Sequence, residues 1–487
     1  MTGSNSMHTQ YARGWRLPAL LAILLLINAI SQIDRILPFI LAEAIKTDLS
    51  LSDTQIGLLT GVAFAVCYTL LSLPLARAAD RGSPRLVLLI CLVVWSAMTA
   101  LGGMAASFLF LALTRFGVAL GEAGAIPSGH ALIVRLVPPE RRGLAIGLFS
   151  MGIPLGTMVG FAAGGAMADT LGWRAALIGA GAAGGLAALL ALLVIRPTPP
   201  APRSEADNQP FLASALRLAA APGFRWLLAG GVAVGFGTAP FYAFSAPFLI
   251  RTHEYTAGEV GLAFGLLQGL MGVLGTLLGG RAFDRAAQSG TGHVLRPPAL
   301  ALLIAAPALA AGLFAPEGWM SIALFTPGMF AFAFLLPWAF GAAHLVAGPG
   351  RQALASSLMM IASGLLGPAL GPVLVGMVSD AVASAGLSNS LGFGLLIAPS
   401  GVVLAGLACL IADQRIAAQL GAAPACRLDV RNHLGGEIAI GEIVHGHGET
   451  VLREAFRRRS ANASGRTRDD GGPAGAGRDR GVAVGLG

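Results

Sequence analysis

Apolar runs of about 20 residues recur along this chain from Leu17 onward, each long enough to cross a bilayer as a helix. Only helices and closed barrels satisfy every backbone N–H and C=O where water is absent, and runs of this length select the helix. The spans expected are 17–42, 54–78, 85–106, 108–136, 142–168, 173–195, 225–250, 257–282, 297–315, 319–345, 352–379 and 391–413. That is twelve crossings. The composition agrees: 55% of residues are hydrophobic and 11% charged, whereas a soluble domain carries roughly a quarter charged. Glycine is abundant at 67 residues but follows no G-X-Y period, which excludes collagen. The first span is too long, and too charged near its end, for a cleaved signal peptide.

The cationic residues give the expected orientation. Arg13, Arg16, Arg77, Arg81, Arg85, Arg135, Arg141, Arg142, Arg196, Arg203, Arg217, Arg281, Arg285, Arg296 and Arg351 fall on one side. Lys46, Arg174 and Arg251 fall on the other. The arginine-rich side is cytoplasmic by the positive-inside rule, which puts both termini inside a bacterial cytoplasmic (inner) membrane. The net charge of +8 then reads as topology and attraction to anionic lipid, and no nucleic-acid partner is expected. Cys67, Cys91, Cys409 and Cys426 have no metal-ligand spacing.

The chain repeats itself. Ala76-Arg77-Ala78-Ala79-Asp80-Arg81 ends span 2, and Gly280-Arg281-Ala282-Phe283-Asp284-Arg285 ends span 8, an offset of 204 (80 to 284). Asp169 closes span 5 and Asp380 closes span 11, an offset of 211 (169 to 380). Two six-helix halves follow, 17–195 and 225–413, joined by a proline-rich cytoplasmic linker at 196–224. Residues 1–16 form a cytoplasmic N-terminus. The tail 414–487 turns rich in Arg, Gly and Ala and is expected to be largely disordered. Arg457-Arg458-Arg459 there is a solvated charge run, and His445 and His447 lack further ligands for a metal. Asn462-Ala463-Ser464 matches a glycosylation acceptor but falls on the cytoplasmic side.

The first half holds charge at membrane depth. Asp34 and Arg35 interrupt span 1, and Arg115 and Glu122 interrupt span 4. Each such group costs on the order of 3 kcal/mol to insert, faces a bundle interior or aqueous pathway, and marks an ion or substrate route. Arg115 and Glu122 are seven residues apart, hence on one helix face. Depth along the helices makes Asp34 the expected partner of Arg115, leaving Glu122 near the midplane to exchange a proton. His130, two turns further along span 4, is a candidate relay.

These residues and motifs resemble the major facilitator superfamily, and within it the spinster-like branch. The matching segments are Asp34-Arg35, Leu51-Ser52-Asp53-Thr54-Gln55-Ile56-Gly57, the Asp80-Arg81 loop, Leu111 through Arg115 to Gly121-Glu122-Ala123, and Pro139-Glu140-Arg141-Arg142-Gly143. The resemblance implies a twelve-helix alternating-access carrier in which Asp34 and Glu122 link transport to protons, with Arg35 and Arg115 as charge partners. It also implies a cytoplasmic gate at Asp80, Arg81, Arg85, Asp284 and Arg285. The sequence departs from the family pattern at Ala76, at Ser83-Pro84-Arg85 and at Ser31-Gln32-Ile33.

Glycines recur every fourth residue at Gly152, Gly156, Gly160 and Gly164, and again at Gly261, Gly265 and Gly269. Small residues at that spacing let backbones approach. Since spans 5 and 8 meet in the superfamily, both strips are expected to form one seam between the halves. Pro154, Pro368 and Pro372 are expected kinks. The second half lacks central charge and offers Phe241, Tyr242, Phe244, Gln268 and Trp338 as a substrate wall, which suits an amphipathic or organic-anion solute. There is no Walker loop, zinc-ligand run or nucleophile elbow, so neither an enzyme nor an ATP-driven pump is expected, and no cofactor or metal. The reading is a monomeric, proton-linked secondary transporter whose partners are a small-molecule substrate, protons and membrane lipids. A proton-independent facilitator, or a receptor or channel, are the alternatives.

Overall fold

The structure is a computed structural model, and it describes residues 16–138, 141–197, 211–289, 293–348 and 351–422. The N-terminal segment, most of the linker, and the tail with His445, His447, Arg457–Arg459 and Asn462 lie outside these residues. Eleven described helices are long and apolar enough to cross a membrane. They are Arg16–Ile40 (α1), Asp53–Ala79 (α2), Pro84–Gly102 (α3), Phe108–Leu136 (α4), Arg142–Thr170 (α5), Gly172–Val194 (α6), Pro222–His253 (α7), Ala257–Ala287 (α8), Gly318–Ala347 (α10), Leu354–Ser384 (α11) and Ser390–Ala418 (α12). Between α8 and α10 lies the apolar helix Arg296–Gly312 (α9), whose 17 residues sit at the short limit for a crossing, about 17. With α9 the bundle has the twelve helices expected.

The main packing pairs of the first half recur six helices later. Helix α1 packs on α5 and α6, as α7 packs on α11 and α12; α3 packs on α4 and α6, as α9 does on α10 and α12. The halves meet along α5–α8 and, by the same symmetry, along α11–α2. The bundle turns apolar side chains outward, with Leu70, Leu193 and Ile304 among the most exposed, because its surroundings are hydrocarbon.

The long helices break where the sequence removes a backbone donor or a side chain. Helix α5 breaks at Met151 and α11 at Leu365. Each break lies three residues before a proline, Pro154 or Pro368, which cannot donate to the carbonyl four residues back. Helix α2 breaks at Gly61, where a Cβ would run into the Ala369 and Pro368 carbonyls of α11.

The glycine strips differ from the sequence expectation. Gly261 and Gly265 of α8 do lie on α5, against the Phe161 and Met158 carbonyls. Gly152, Gly156, Gly160 and Gly164 of α5 do not face α8. They face α1, at Asn28, Ala29, Gln32, Ile36 and Leu37, within the same half. The reason is helical geometry: Met158, Phe161 and Gly165 form a stripe nearly opposite the glycines, and it is that stripe which meets α8. The glycine face therefore locks α1, with its charges, against α5.

A Cβ at Gly156 would overlap the Ala29 carbonyl and the Gln32 Cβ of α1, whereas one at Gly185 of α6 meets nothing within 4 Å. Overpacking costs about 1–3 kcal/mol, while alanine for glycine in an open helix site gains roughly 1 kcal/mol. Gly156→Ala is thus expected to lower the melting temperature of the detergent-solubilised protein, and Gly185→Ala to hold or raise it. Equal melting temperatures would contradict this packing.

Candidate functional site

Three helices build a charged centre in the first half. Helix α1 supplies Asp34 and Arg35, α4 supplies Arg115 and Glu122, and α2 supplies Phe64 and Tyr68. Asp34 and Glu122 are fully buried, Arg115 is nearly so, and a quarter of the Arg35 side chain is exposed. Arg35 is therefore the member of the cluster that reaches toward open space.

The ion pair is not the one that helix depth suggested. Arg35 Nε donates to Glu122 Oε2 at 2.6 Å. Both carboxylate oxygens of Asp34 are buried without a hydrogen-bond partner, although Arg115 and Thr99 are its neighbours. Helix depth placed Asp34 level with Arg115 but could not say that Arg35, one residue on, swings toward α4. Phe64 and Tyr68 direct that swing. They stack on each other at 5.5 Å, and the Arg35 guanidinium lies 4.4 Å from the Tyr68 ring and 5.3 Å from Phe64. The same Phe64 ring lies 5.6 Å from the Arg115 guanidinium, so one aromatic face holds both cations apart.

A second polar network joins the halves at the arginine-poor face. Buried Asp53 accepts from Arg251 of α7 at 2.8 and 2.9 Å, from Lys46 at 2.5 Å and from Ser379 of α11 at 2.7 Å. Arg251 also donates to Glu43 at 2.8 Å. Glu43 and Lys46 lie on a short helix, Ala42–Asp48, that follows α1. In the sequence Lys46 and Arg251 carry only a topology meaning, and Asp53 only a place in the motif that opens span 2. The signal for the network is an acid at the start of a span, on the side where only Lys46, Arg174 and Arg251 are expected.

The remaining sequence candidates scatter. His130 packs edge-on against Phe149 of α5, ring centres 5.3 Å apart. Arg85 donates to the Leu192 carbonyl of α6. Asp284 and Arg285 are exposed at the end of α8, and the side chains of Asp80 and Arg81 lie outside the described residues. Arg135 instead occupies this corner, donating to the Ala79 and Gly82 carbonyls at the end of α2. The substrate wall needs correcting. Phe241, Phe244 and Trp338 are fully buried: Phe241 packs on Phe264 and Phe325, and Trp338 on Phe283 and Phe334. Without central charge, the second half closes on itself as an aromatic core. Tyr242 and Gln268 stay half-buried, and Gln268 Oε1 has no hydrogen-bond partner. A small apolar crevice of about 70 Å³ opens among Leu227, Val234, Phe332, Leu335 and Met359.

Twelve helices in two matched halves, with a charged centre inside the first, define a multi-pass membrane transporter. The family model of the Major Facilitator Superfamily matches residues 24–372. An MFS-type efflux pump of Mycolicibacterium smegmatis is 35% identical over 399 residues, 82% of this chain and 92% of that one. Protein spinster homolog 1 of Homo sapiens is 29% identical over 387 residues, 74% of this chain and 72% of that one. A solved bacterial homolog of the human lysosomal transporter Spinster, inward-facing and unoccupied, superposes with a TM-score of 0.72 at 28% identity, covering 84% of this chain and 98% of that one. The chain belongs to the major facilitator superfamily and is similar to its spinster-like members.

Removing either partner of the Arg35–Glu122 pair leaves a buried or half-buried charge without its counter-ion, which is commonly worth about 3–5 kcal/mol. Arg35→Gln and Glu122→Gln are each expected to lower thermal stability, and the double variant to recover part of the loss, by at least ~1 kcal/mol of coupling. Strict additivity in the double-mutant cycle would show that the pair contributes no mutual stabilisation.

Proposed function

We propose that the chain is a proton-linked secondary transporter that moves an amphipathic or organic-anion solute across the bacterial inner membrane by alternating access. Taking the arginine-rich face as cytoplasmic, the two halves touch at the periplasmic face, through Arg251, Asp53 and the α5–α8 and α2–α11 contacts. The solved spinster homolog of like fold is inward-facing, which supports reading this arrangement as open to the cytoplasm.

One observation carries the proton linkage. Of the two carboxylates buried in the charged centre, Glu122 has a guanidinium partner and both oxygens of Asp34 lack a hydrogen-bond partner. A buried carboxylate left so costs several kcal/mol, and taking up a proton removes the cost. The roles are therefore the reverse of the depth argument: Asp34 carries the proton in this state, and Glu122 is engaged in the ion pair with Arg35. Loss of that proton would free Asp34 to draw on Arg115 or Arg35, loosening Arg35 from Glu122 and changing the balance between access states. Arg35, partly exposed and seated on Tyr68 and Phe64, is the group that would meet the anionic end of a substrate. The half-buried Tyr242 and Gln268 and the apolar crevice of the second half would face its other end. The efflux activity named for the mycobacterial relative favours export.

The test is flux in proteoliposomes loaded with a pH-reporting dye, using a panel of single-chain amphipathic anions. Wild-type protein is expected to couple uptake of a hit to proton movement and to lose accumulation with a protonophore. Asp34→Asn is expected to lose gradient-driven accumulation by about tenfold or more while still exchanging substrate down its gradient. Unchanged gradient-driven accumulation by Asp34→Asn would refute the role given to this residue.

A further inference from the structure

The α5–α8 and α2–α11 contacts between the halves are copies of one device, built from residues that the charged centre does not use. Helices α2 and α8 both begin with a capping box. At α2, Ser52 Oγ accepts from Gln55 N at 3.2 Å and Ser52 N donates to Gln55 Oε1 at 2.9 Å. At α8, Thr256 Oγ1 accepts from Glu259 N at 3.2 Å and Thr256 N donates to Glu259 Oε2 at 2.9 Å. A capping box satisfies the third helical N–H and leaves the first two without an intrahelical acceptor.

In each case the other half supplies that acceptor. Asp380 of α11 takes Asp53 N and Thr54 N, both at 2.9 Å, and the Thr54 hydroxyl at 2.6 Å. Asp169 of α5 takes Ala257 N at 3.2 Å and Gly258 N at 2.7 Å. A carboxylate at the positive end of a helix, holding two N–H groups, is a charge-assisted contact.

Each carboxylate follows a glycine by four residues, Gly165 before Asp169 and Gly376 before Asp380. One turn apart, glycine and acid share a face, and a Cβ at either glycine would collide with the backbone of the helix it receives: Ala257 for Gly165, Asp53 and Thr54 for Gly376. One turn into α2 and α8, Gly57 and Gly261 make the same approach to the Pro372 and Phe161 carbonyls. The sequence repeat (169 to 380, 165 to 376) is therefore a repeat of a bonded contact.

We propose that Asp169 and Asp380 are paired positioning residues: each latches the free N–H groups of a capped helix in the opposite half, and together they set the balance between inward- and outward-open states. This rests on the alternating-access reading but not on proton linkage. The latches are unequal. Asp380 is backed by the Arg251–Asp53–Ser379 network, whereas Asp169 stands exposed and alone, so the α5–α8 latch is the first to release.

The test is a distance across that face. Leu171→Cys and Leu387→Cys, both exposed and in opposite halves, carry spin labels in full-length protein whose four native cysteines are replaced by alanine, in lipid nanodiscs. The parent is expected to show one predominant short distance by pulsed dipolar spectroscopy. Asp169→Ala with Asp380→Ala is expected to raise the ratio of the long-distance to the short-distance population about tenfold or more. Asp169→Asn with Asp380→Asn, which keeps one acceptor on each side, should fall between the two. Gly165→Ala with Gly376→Ala keeps both carboxylates yet holds the helices apart, so it should lengthen the distance too, and it serves if the aspartate variants do not fold. Unchanged distances in folded latch variants overturn the proposal. A shift in distances with transport still independent of a proton gradient would leave the latches standing and count against the coupling role of Asp34.

Discussion

A charge within a bilayer has to find its counter-charge inside the protein, and the Arg35–Glu122 pair is where this bundle meets that demand. The pair ties α1 to α4 across the first half. Its geometry depends on α1 lying close against α5, which the strip Gly152, Gly156, Gly160 and Gly164 permits, and on the Phe64–Tyr68 stack that turns Arg35 toward Glu122. Once Arg35 is so committed, Asp34 is left with neighbours but no bond. The function proposed for the centre grows from that imbalance: two carboxylates and two guanidiniums share one site, and only one tight pair forms.

The two halves share a plan and divide the work. Helix pairing repeats six helices on, and so do the capped starts of α2 and α8 and the acids that receive them. The charged centre does not repeat. The second half places aromatic rings where the first has ionisable groups, and Phe241, Phe264 and Phe325 pack into a core that gives α7 and α8 a stiff backing. The alternating access proposed above would move a half with a charged centre against an apolar one. Contacts made of glycine, backbone carbonyl and N–H can part without exposing large apolar surface, which fits a seam that must open and close.

Much of this was legible in the sequence because the bilayer leaves few choices. Run length gave the helices, and the repeated motifs match the repeated helix pairing. Asp34, Arg35, Arg115 and Glu122 stood out because charge is so rare among their neighbours. Pairing was not legible. Periodicity fixes the face a residue occupies to within a turn, but the choice between Asp34–Arg115 and Arg35–Glu122 depends on rotamers and on rings contributed by a third helix. The glycine strip on α5 misled for a similar reason: spacing says that some helix approaches, not which one. Asp53 has only a place in the motif opening span 2, and Arg251 only a topology meaning, because a sequence does not reveal that the start of α2 and the end of α7 converge. Asp169 and Asp380 were noticed as a repeat, yet their meaning appeared only when the helix starts they bind were seen beside them.

The central claim is that Asp34, rather than Glu122, holds the proton when the bundle is closed at its arginine-poor face. Infrared difference spectroscopy on the protein in lipid, recorded while pH is stepped, reads this directly through the carbonyl stretch of a protonated carboxyl group. The account predicts such a band near neutral pH in wild-type protein and in Glu122→Gln, and its loss in Asp34→Asn. A band that persists in Asp34→Asn and vanishes in Glu122→Gln would contradict it.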